Sequence, residues 1–380
     1  MRLFNLVLVA AALAVHASTA MAQSTLSAHG FGYPPGQLSA RAVGAGGALG
    51  EFDPFSALNP SALSLWGPSG LYVQYDPESR QFDPGPLPSS SSRISRLGIA
   101  SGAVRVGARG VIGIGTSTLL DRTWGTSLRG EAQIGPDLVG FEESYRTSGS
   151  VNDLRLAGAY TFSPRFAIGL GVHAFPGENR LSVRRVFDDS LTFGAISEDF
   201  TLSYTGLGIS GGFQFKPTSW LGIAASGRLG GTMTMRQADT LLAEAHIPDR
   251  FGVGIRFDGV TGLVLAARVD RTFWSAMDGL GTSDVTTFDA WEYGAGADIV
   301  GPRLSGTATA LRVGFRTRTL PFGVIGSRVD EHAISGGFGF PIAGGRASVD
   351  MGIERLFRSA AGIDAKERAW HFSLGLALRP

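Results

Sequence analysis

From Leu71 to Leu378 the chain repeats one pattern: apolar residues at every second position. A period of two puts successive side chains on opposite faces of a strand. Leu154, Leu156, Tyr160 and Phe162 share one face, with Arg155, Ala157, Ala159 and Thr161 on the other. Phe166, Ile168, Leu170 and Val172 repeat it, and Trp370, Phe372, Leu374, Leu376 and Leu378 close it. About fourteen such segments follow one another. Most could supply the roughly 9 to 11 tilted residues with which a strand crosses a bilayer. The chain is therefore all-β, and the open question is which face meets water.

The connections carry a second pattern. Ser163-Pro164-Arg165, Pro217-Thr218-Ser219, Asp258-Gly259 and Gly344-Gly345 read as tight turns, with further short connections near Val106 and Pro302. Longer loops are expected at 121–150, 179–198, 236–246, 276–287, 320–327 and 359–367. Short turns on one side and long loops on the other are the arrangement of outer-membrane barrels. Leu97, Ile99 and Ala103 share one parity. The parity slips once, because Phe200, Leu202 and Tyr204 are even while Leu207 and Ile209 are odd. One extra residue at Gly206–Gly208 repairs it, which predicts a β-bulge there.

A soluble β-sandwich also alternates, so the faces decide. Here the apolar faces are nearly free of charge, and aromatics gather near strand ends: Phe215, Trp220, Phe257, Phe273, Trp274, Trp291, Phe340 and Trp370. That is the pattern of a lipid-facing band between aromatic girdles. The opposite face is small, with Gly169, Gly171, Gly252, Gly254, Gly294, Gly296, Gly337 and Gly339 on it; glycine makes up 55 of 380 residues. Glycine cannot fill a sandwich core, but it lets another stretch of backbone approach closely. The fold expected is a transmembrane antiparallel β-barrel of about 14 strands. Its inward face also carries Arg155, Arg228, Arg268, Asp270, Arg312, Arg316, Arg318, Asp350 and Glu354. Such groups either pair with one another to offset desolvation or attract an acidic ligand head. Arg312, Arg316 and Arg318, on one strand, are the best support for the second reading.

The first 22 residues read as a secretory signal peptide: Arg2, an apolar run from Leu3 to Val15, and the small-residue site Ala20-Met21-Ala22. With 33 basic and 32 acidic residues, the chain has no basic stripe for nucleic acid. It has no Cys, and no His spacing suited to a metal. His29, His173, His246, His332 and His371 are scattered, and no cofactor motif is present. Gly208-x-Ser210-x-Gly212 does occur, but inside an expected strand and not on the strand-to-helix elbow that exposes a nucleophile. The chain does not read as an enzyme.

One stretch fits none of this: Arg41 to Leu63, rich in Gly and Ala and without a period. Its Arg41-x-x-Gly44-x-Gly46-Gly47-Ala48 run and its Asn59-Pro60-Ser61 triplet resemble the N-terminal hatch of the FadL family of outer-membrane transporters for long-chain fatty acids and other hydrophobic compounds. His246-Ile247-Pro248 to Gly254 and the Trp274-Ser275 strand end resemble later family motifs, in the family's order. The resemblance implies a hatch over 23–68, with Gly44, Gly46, Gly47, Asn59, Pro60 and Ser61 in it, inside a barrel over 69–380. It implies passive uptake of a hydrophobic or amphipathic small molecule, lateral release beside a kinked third strand, contact with outer-membrane lipid, and the barrel-assembly machinery as a partner during insertion. Gly110, Gly113 and Gly115 are the expected kink, and Asn59 either bonds backbone groups freed there or belongs only to an Asn-Pro turn. The alternative is a FadL-like barrel that serves a secretion system as a shuttle or surface-protein attachment partner.

Overall fold

The computed structural model describes residues 26–27, 30–67, 69–85, 89–134, 136–189, 192–280, 286–304 and 306–379. The leader 1–22 and His29 lie outside the described residues. The strands are β1 (Gly70–Asp83), β2 (Ser90–Val106), β3 (Gly110–Asp121), β4 (Trp124–Ile134), β5 (Asp137–Ser163), β6 (Phe166–Ala174), β7 (Gly177–Phe187), β8 (Ile196–Phe215) and β9 (Leu221–Gln237). Then come β10 (Thr240–His246), β11 (Arg250–Val260), β12 (Leu263–Thr272), β13 (Ala290–Leu304), β14 (Thr307–Thr319), β15 (Val329–Ile342), β16 (Ala347–Ala360) and β17 (Lys366–Leu378).

Three pairs are single staves broken by a short irregularity. β3 and β4 both pair with β5, β6 and β7 both pair with β5 and β8, and β10 and β11 both pair with β9. The seventeen strands among the described residues thus make fourteen staves. β17 pairs with β1 from Leu71↔Leu378 to Asp83↔Lys366, and this closes the barrel. A closed barrel has no edge left to solvate, so every stave can satisfy its backbone inside a bilayer.

Burial along β17 shows how the wall faces. Leu374 is 48% exposed and looks outward, as do Trp370, Phe372, Leu376 and Leu378, whereas Glu367 is 0% exposed and looks inward with His371 and Ser373. Apolar outside and polar inside inverts a water-soluble core and suits lipid as the outer solvent.

The turns at Pro164–Arg165, Pro217–Ser219 and Gly344–Gly345 are as expected. The bulge is present too: the β8–β9 register shifts between Gly206 and Gly208, which turns Tyr204 inward and Leu207 outward. Four expectations are corrected. The Asp258-Gly259 turn does not form, because Asp258 donates its amide to Trp220 and the strand runs on; Gly262, at φ +81°, makes the turn instead. Most of the loops expected at 121–150, 179–198 and 236–246 is strand, in β4, β5, β7, β8, β9 and β10. Those hairpins lack a continuous apolar face, so periodicity did not mark them. Leu97 and Ile99 share a parity but not a face, being 57% and 3% exposed, because the β1–β2 register slips between Gln74 and Tyr75. Trp274 is not a girdle residue but a buried one.

The N-terminal segment threads this barrel. Ser27 donates to Glu367 near the long-hairpin end. Tyr33 pairs with Asp121 at the end of β3. The short helix α1 (Ala40–Gly44), capped by Ser39, packs on β14 to β17. The 3-10 turn Pro60–Leu65 packs on β3, β5, β6 and β8. Gly67 then accepts from Arg105 at the short-turn end, where β1 begins.

Candidate functional site

The segment fits because the wall opposite it is glycine. Gly46 has φ +64°, and a Cβ there would lie 2.6 Å from the amide nitrogen of Phe315. Gly294 faces the Gly46 carbonyl, Gly296 and Gly314 face Ala45, Gly337 faces Gly44, and Gly169 faces the Pro60–Ser61 bond. Gly47 lies against Arg268. The hatch-like glycines of the sequence and the small lumen residues are thus two halves of one contact.

Asn59 caps the Pro60–Leu65 turn. Its Oδ1 accepts from the Ser61 amide at 2.9 Å and from Ser61 Oγ at 2.7 Å. Its Nδ2 donates to the carbonyl of Glu51 at 3.0 Å and of Phe213, on β8, at 3.5 Å. The expected bond from Asn59 to the third strand is therefore corrected: its hydrogen-bonding capacity is used within its own segment and at β8.

The third strand is irregular, though not at its glycines. Gly110, Gly113 and Gly115 are paired on both sides, with β2 and with β5. Pairing with β2 ends at Ile99↔Ser117, and the register with β5 slips between Thr118 and Leu120. Beyond that point β3 turns inward, and Thr118 to Asp121 are buried. The edge of β2 from Ser90 to Gly98 then has no strand partner on the β3 side among the described residues. Two side-chain links span this gap: an Arg96–Asp121 ion pair, and Thr118 Oγ1 donating to the Leu97 carbonyl at 3.4 Å. Glycine was the wrong marker because the cause is tertiary. The end of β3 has exchanged β2 for Tyr33.

Tyr33 sits in a cage of guanidinium groups. Arg80, Arg96, Arg318 and Arg358 lie 4.7 to 5.3 Å from its ring centre. Its hydroxyl donates to Glu331 at 2.9 Å and accepts from Arg318 at 2.7 Å and Arg358 at 2.9 Å. Carboxylates close the cage: Arg358 also holds Glu78 at 3.0 Å, Arg316 holds Glu354 at 3.1 Å, and Arg312 holds Asp350 at 2.6 Å and Asp298 at 3.2 Å. Arg250 holds Glu51 at 2.6 Å, and Arg268 pairs with Glu292 and, at 3.7 Å, with Asp270. The three arginines of β14 are thus partnered in the closed lumen, as buried charges must be.

Two features were not legible in the sequence. The first is an apolar cluster inside the barrel at the long-hairpin end, built from Phe31, Leu120, Phe175, Tyr204, Met233 and Trp274 with their neighbours. Its members come from separate parts of the chain: Leu120, Tyr204 and Met233 from β3, β8 and β9, Phe175 from between β6 and β7, Phe31 from the N-terminal segment and Trp274 from the 3-10 turn Trp274–Leu280. Arg122 stacks over Phe31 and Tyr204 at 5.1 and 5.3 Å and has no carboxylate partner among the described residues. Burial lowers its pKa from the ordinary guanidinium value. Sharing Leu119 and Trp274 with the cluster is a cavity of about 60 Å³, also lined by Arg228, Arg250, Arg268 and Arg318 and by the carboxylates Asp270 and Glu292.

The second is a Ser–His–Asp chain. His173 Nδ1 lies 2.6 Å from Asp153, and Nε2 lies 2.8 Å from Ser210 Oγ. The serine belongs to the Gly-x-Ser-x-Gly string, and it is in a strand, as expected. The amides of Gly211 and Gly212 lie within the ladders to β6 and β9, so no backbone pair is free to hold an oxyanion. Asp153 is also engaged, accepting from Gln37 at 2.9 Å and Arg228 at 3.3 Å. The chain ties the N-terminal segment to three staves and is not a hydrolase site.

Closure, stave number, an apolar exterior and a threaded lumen together define the class: a fourteen-stave transmembrane β-barrel of the outer-membrane kind, similar in fold to solved FadL-type barrels. In particular, a FadL homologue from Pseudomonas aeruginosa matches with a TM-score of 0.61 at 16% identity, covering 92% of this chain and 100% of that one. The Pseudomonas putida toluene transporter TodX matches at 0.57 and 13%, covering 93% and 99%. The monoaromatic hydrocarbon channel CymD matches at 0.53 and 13%, covering 88% and 93%. No family model matches the sequence, and no curated relative matches it.

Proposed function

We propose that the protein is an outer-membrane channel for the passive uptake of hydrophobic small molecules, long-chain fatty acids among them, with residues 23–68 acting as a hatch in a barrel of residues 69–380. The observation that carries this is the apolar cluster inside the long-hairpin end, which shares Leu119 and Trp274 with a cavity lined by paired arginines and carboxylates. An apolar cluster across the lumen has no use in an aqueous porin. It suits a ligand with an apolar body, and the unpaired Arg122 guanidinium suits an acidic head on that body. The resemblance to TodX and CymD supports hydrocarbon-like cargo, and the Arg122 position favours a carboxylate-bearing one. A ligand enters between Phe31 and Trp274, displaces the top of the N-terminal segment, and leaves sideways between β2 and the inward end of β3. Gly44, Gly46, Gly47, Asn59, Pro60 and Ser61 hold the lower part of the hatch in place during this.

The test is uptake by vesicles carrying the purified barrel, with oleate, toluene and a sugar as probes. Saturable oleate entry, absent from protein-free vesicles and weakened by Arg122→Ala with toluene entry unchanged, is the expected result. Sugar entry without oleate entry makes the protein a porin. No entry of any probe leaves the secretion-system role as the better reading.

A further inference from the structure

Outside the lumen, the outward face at the long-hairpin end of β1, β2, β16 and β17 carries a cluster of charges for which the transport reading has no use. Cross-strand register sets the layout. Ser79 of β1 lies between Arg93 of β2 and Trp370 of β17, and Trp370 is opposite Arg355 of β16. One step further out, Gln81 lies between Ser91 and Arg368, and Arg368 is opposite Phe357. Arg355 and Arg368 are thus diagonal neighbours on the outward face, and Arg93 stands at the other end of the first row, beyond Ser79 and Trp370. A cleft of about 420 Å³ opens here, with Ser79, Gln81, Ser90, Arg355, Arg368 and Trp370 in its lining.

Among the described residues, none of the three arginines forms an ion pair. Arg271, outward on β12 at the same end, shows the contrast by pairing with Asp289 at 3.2 Å. Arg355 lies 4.9 Å over the Trp370 ring and 5.7 Å from that of Phe357, which keeps its charge at the aromatic level. Ser79 and Gln81 are about nine and eleven residues along β1 from Gly70. At about 3.3 Å rise and about 40° tilt, that is about 23 to 28 Å, the top of an apolar band about 25 Å tall. Below the cleft the wall is apolar, with Phe372, Leu374, Met351 and Ile353 exposed.

We propose that this face binds the phosphorylated headgroup of an outer-leaflet glycolipid. The arginines engage the phosphate, the serines and Gln81 meet the sugar hydroxyls, and the acyl chains lie on the wall below. A soluble partner protein would leave that continuous apolar wall unused, whereas a lipid of this chemistry uses both parts. The inference rests on the placement of the barrel in an outer membrane and not on what passes through it.

The experiment uses the full barrel in detergent with diphosphoryl lipid A as the probe, and retained adducts are counted by native mass spectrometry. The triple variant Arg93→Gln, Arg355→Gln, Arg368→Gln is compared with Arg105→Gln, Arg109→Gln at the opposite rim. Heat-modifiable gel mobility confirms that both are folded. At about fivefold per surface arginine, the triple variant is expected to bind about a hundredfold more weakly, with the control unchanged. Inorganic phosphate in about a hundredfold excess is expected to leave the adduct in place. Equal retention by wild type and triple variant overturns the proposal, as does equal loss in the control pair. Displacement by inorganic phosphate reduces the site to a simple anion site and also overturns it. Oleate uptake by the triple variant is expected to be normal, so the two proposals fail separately.

Discussion

Tyr33 and Asp121 face each other across an antiparallel bridge, the amide of each donating to the carbonyl of the other at 2.8 Å. The N-terminal segment therefore occupies a pairing position beside the end of β3, while the edge of β2 stands open. The contact that holds the N-terminal segment is thus also the one that keeps the end of β3 turned away from β2.

The bridge gives a direct test of gating. A hydrogen-bonded antiparallel pair has Cα atoms about 5.5 Å apart, within disulfide range. The chain has no Cys, so Tyr33→Cys with Asp121→Cys creates the sole possible bond. Oxidation is expected to cut oleate uptake about tenfold or more relative to the same variant after reduction. Equal uptake in both states would mean that this contact does not move during transport.

Arg358 is expected to dominate the stability of the contact between the N-terminal segment and the wall. It bonds Tyr33, Glu78, Glu331 and Glu367, and it is buried. Arg358→Met leaves buried carboxylates short of a partner, at a cost of about 3–5 kcal/mol. Urea unfolding followed by gel mobility measures this. The exposed Arg93→Gln serves as the reference and is expected to stay within about 0.5 kcal/mol of wild type.

Gly46→Val is expected to detach the segment without opening the barrel. A side chain at φ +64° is strained, and its Cβ would meet the backbone of Phe315. The strain alone is about 1–3 kcal/mol. Faster proteolysis between Tyr33 and Trp66, with heat-modifiable mobility retained, is the expected pair of results. Loss of both together would show that barrel and segment fold as one unit.

Leu374→Arg tests the lipid-facing assignment. Outward and midway along β17, it is expected to cost about 2–4 kcal/mol of insertion free energy, against about 0–1 for Leu378→Arg near the rim. Folding titrations into vesicles read the difference. Equal costs at the two positions would argue against a bilayer around this stave.

Ser210 is expected to be chemically inert despite its partners. A fluorophosphonate probe should leave it unlabelled, and Ser210→Ala should cost about 1 kcal/mol of stability through the lost hydrogen bond to His173. Labelling that disappears in His173→Ala would reverse this and reveal a hidden oxyanion site.

Much of the wall was legible in the sequence. Trp370 to Leu378 alternate in the chain and alternate in and out of the barrel, and the slip between Tyr204 and Leu207 located its bulge at Gly206–Gly208. Both are local properties, because a pleated backbone puts neighbours on opposite faces wherever it runs. The polar hairpins of β4, β5 and β7 gave no such signal, since neither of their faces needs a uniform solvent. The parity of Leu97 and Ile99 misled, because the slip that separates them arises in pairing with β1.

The site was legible only in part. The glycines of Gly44 to Gly47 and of the wall could be read as close approach, and the structure puts them against each other. The sequence could not say that Arg312, Arg316 and Arg318 would find carboxylates on β13, β15 and β16, that Ser210 would meet His173 and Asp153, or that Asn59 would serve β8 and not the third strand. Closure of the sheet sets those partners, because it fixes which staves are neighbours and at what register. The sequence by itself determined a barrel with lipid outside and small or charged residues inside, since periodicity and residue size act over two positions. Only the tertiary structure decided that the end of β3 would leave β2 for Tyr33, because that choice compares contacts made by residues far apart in the chain.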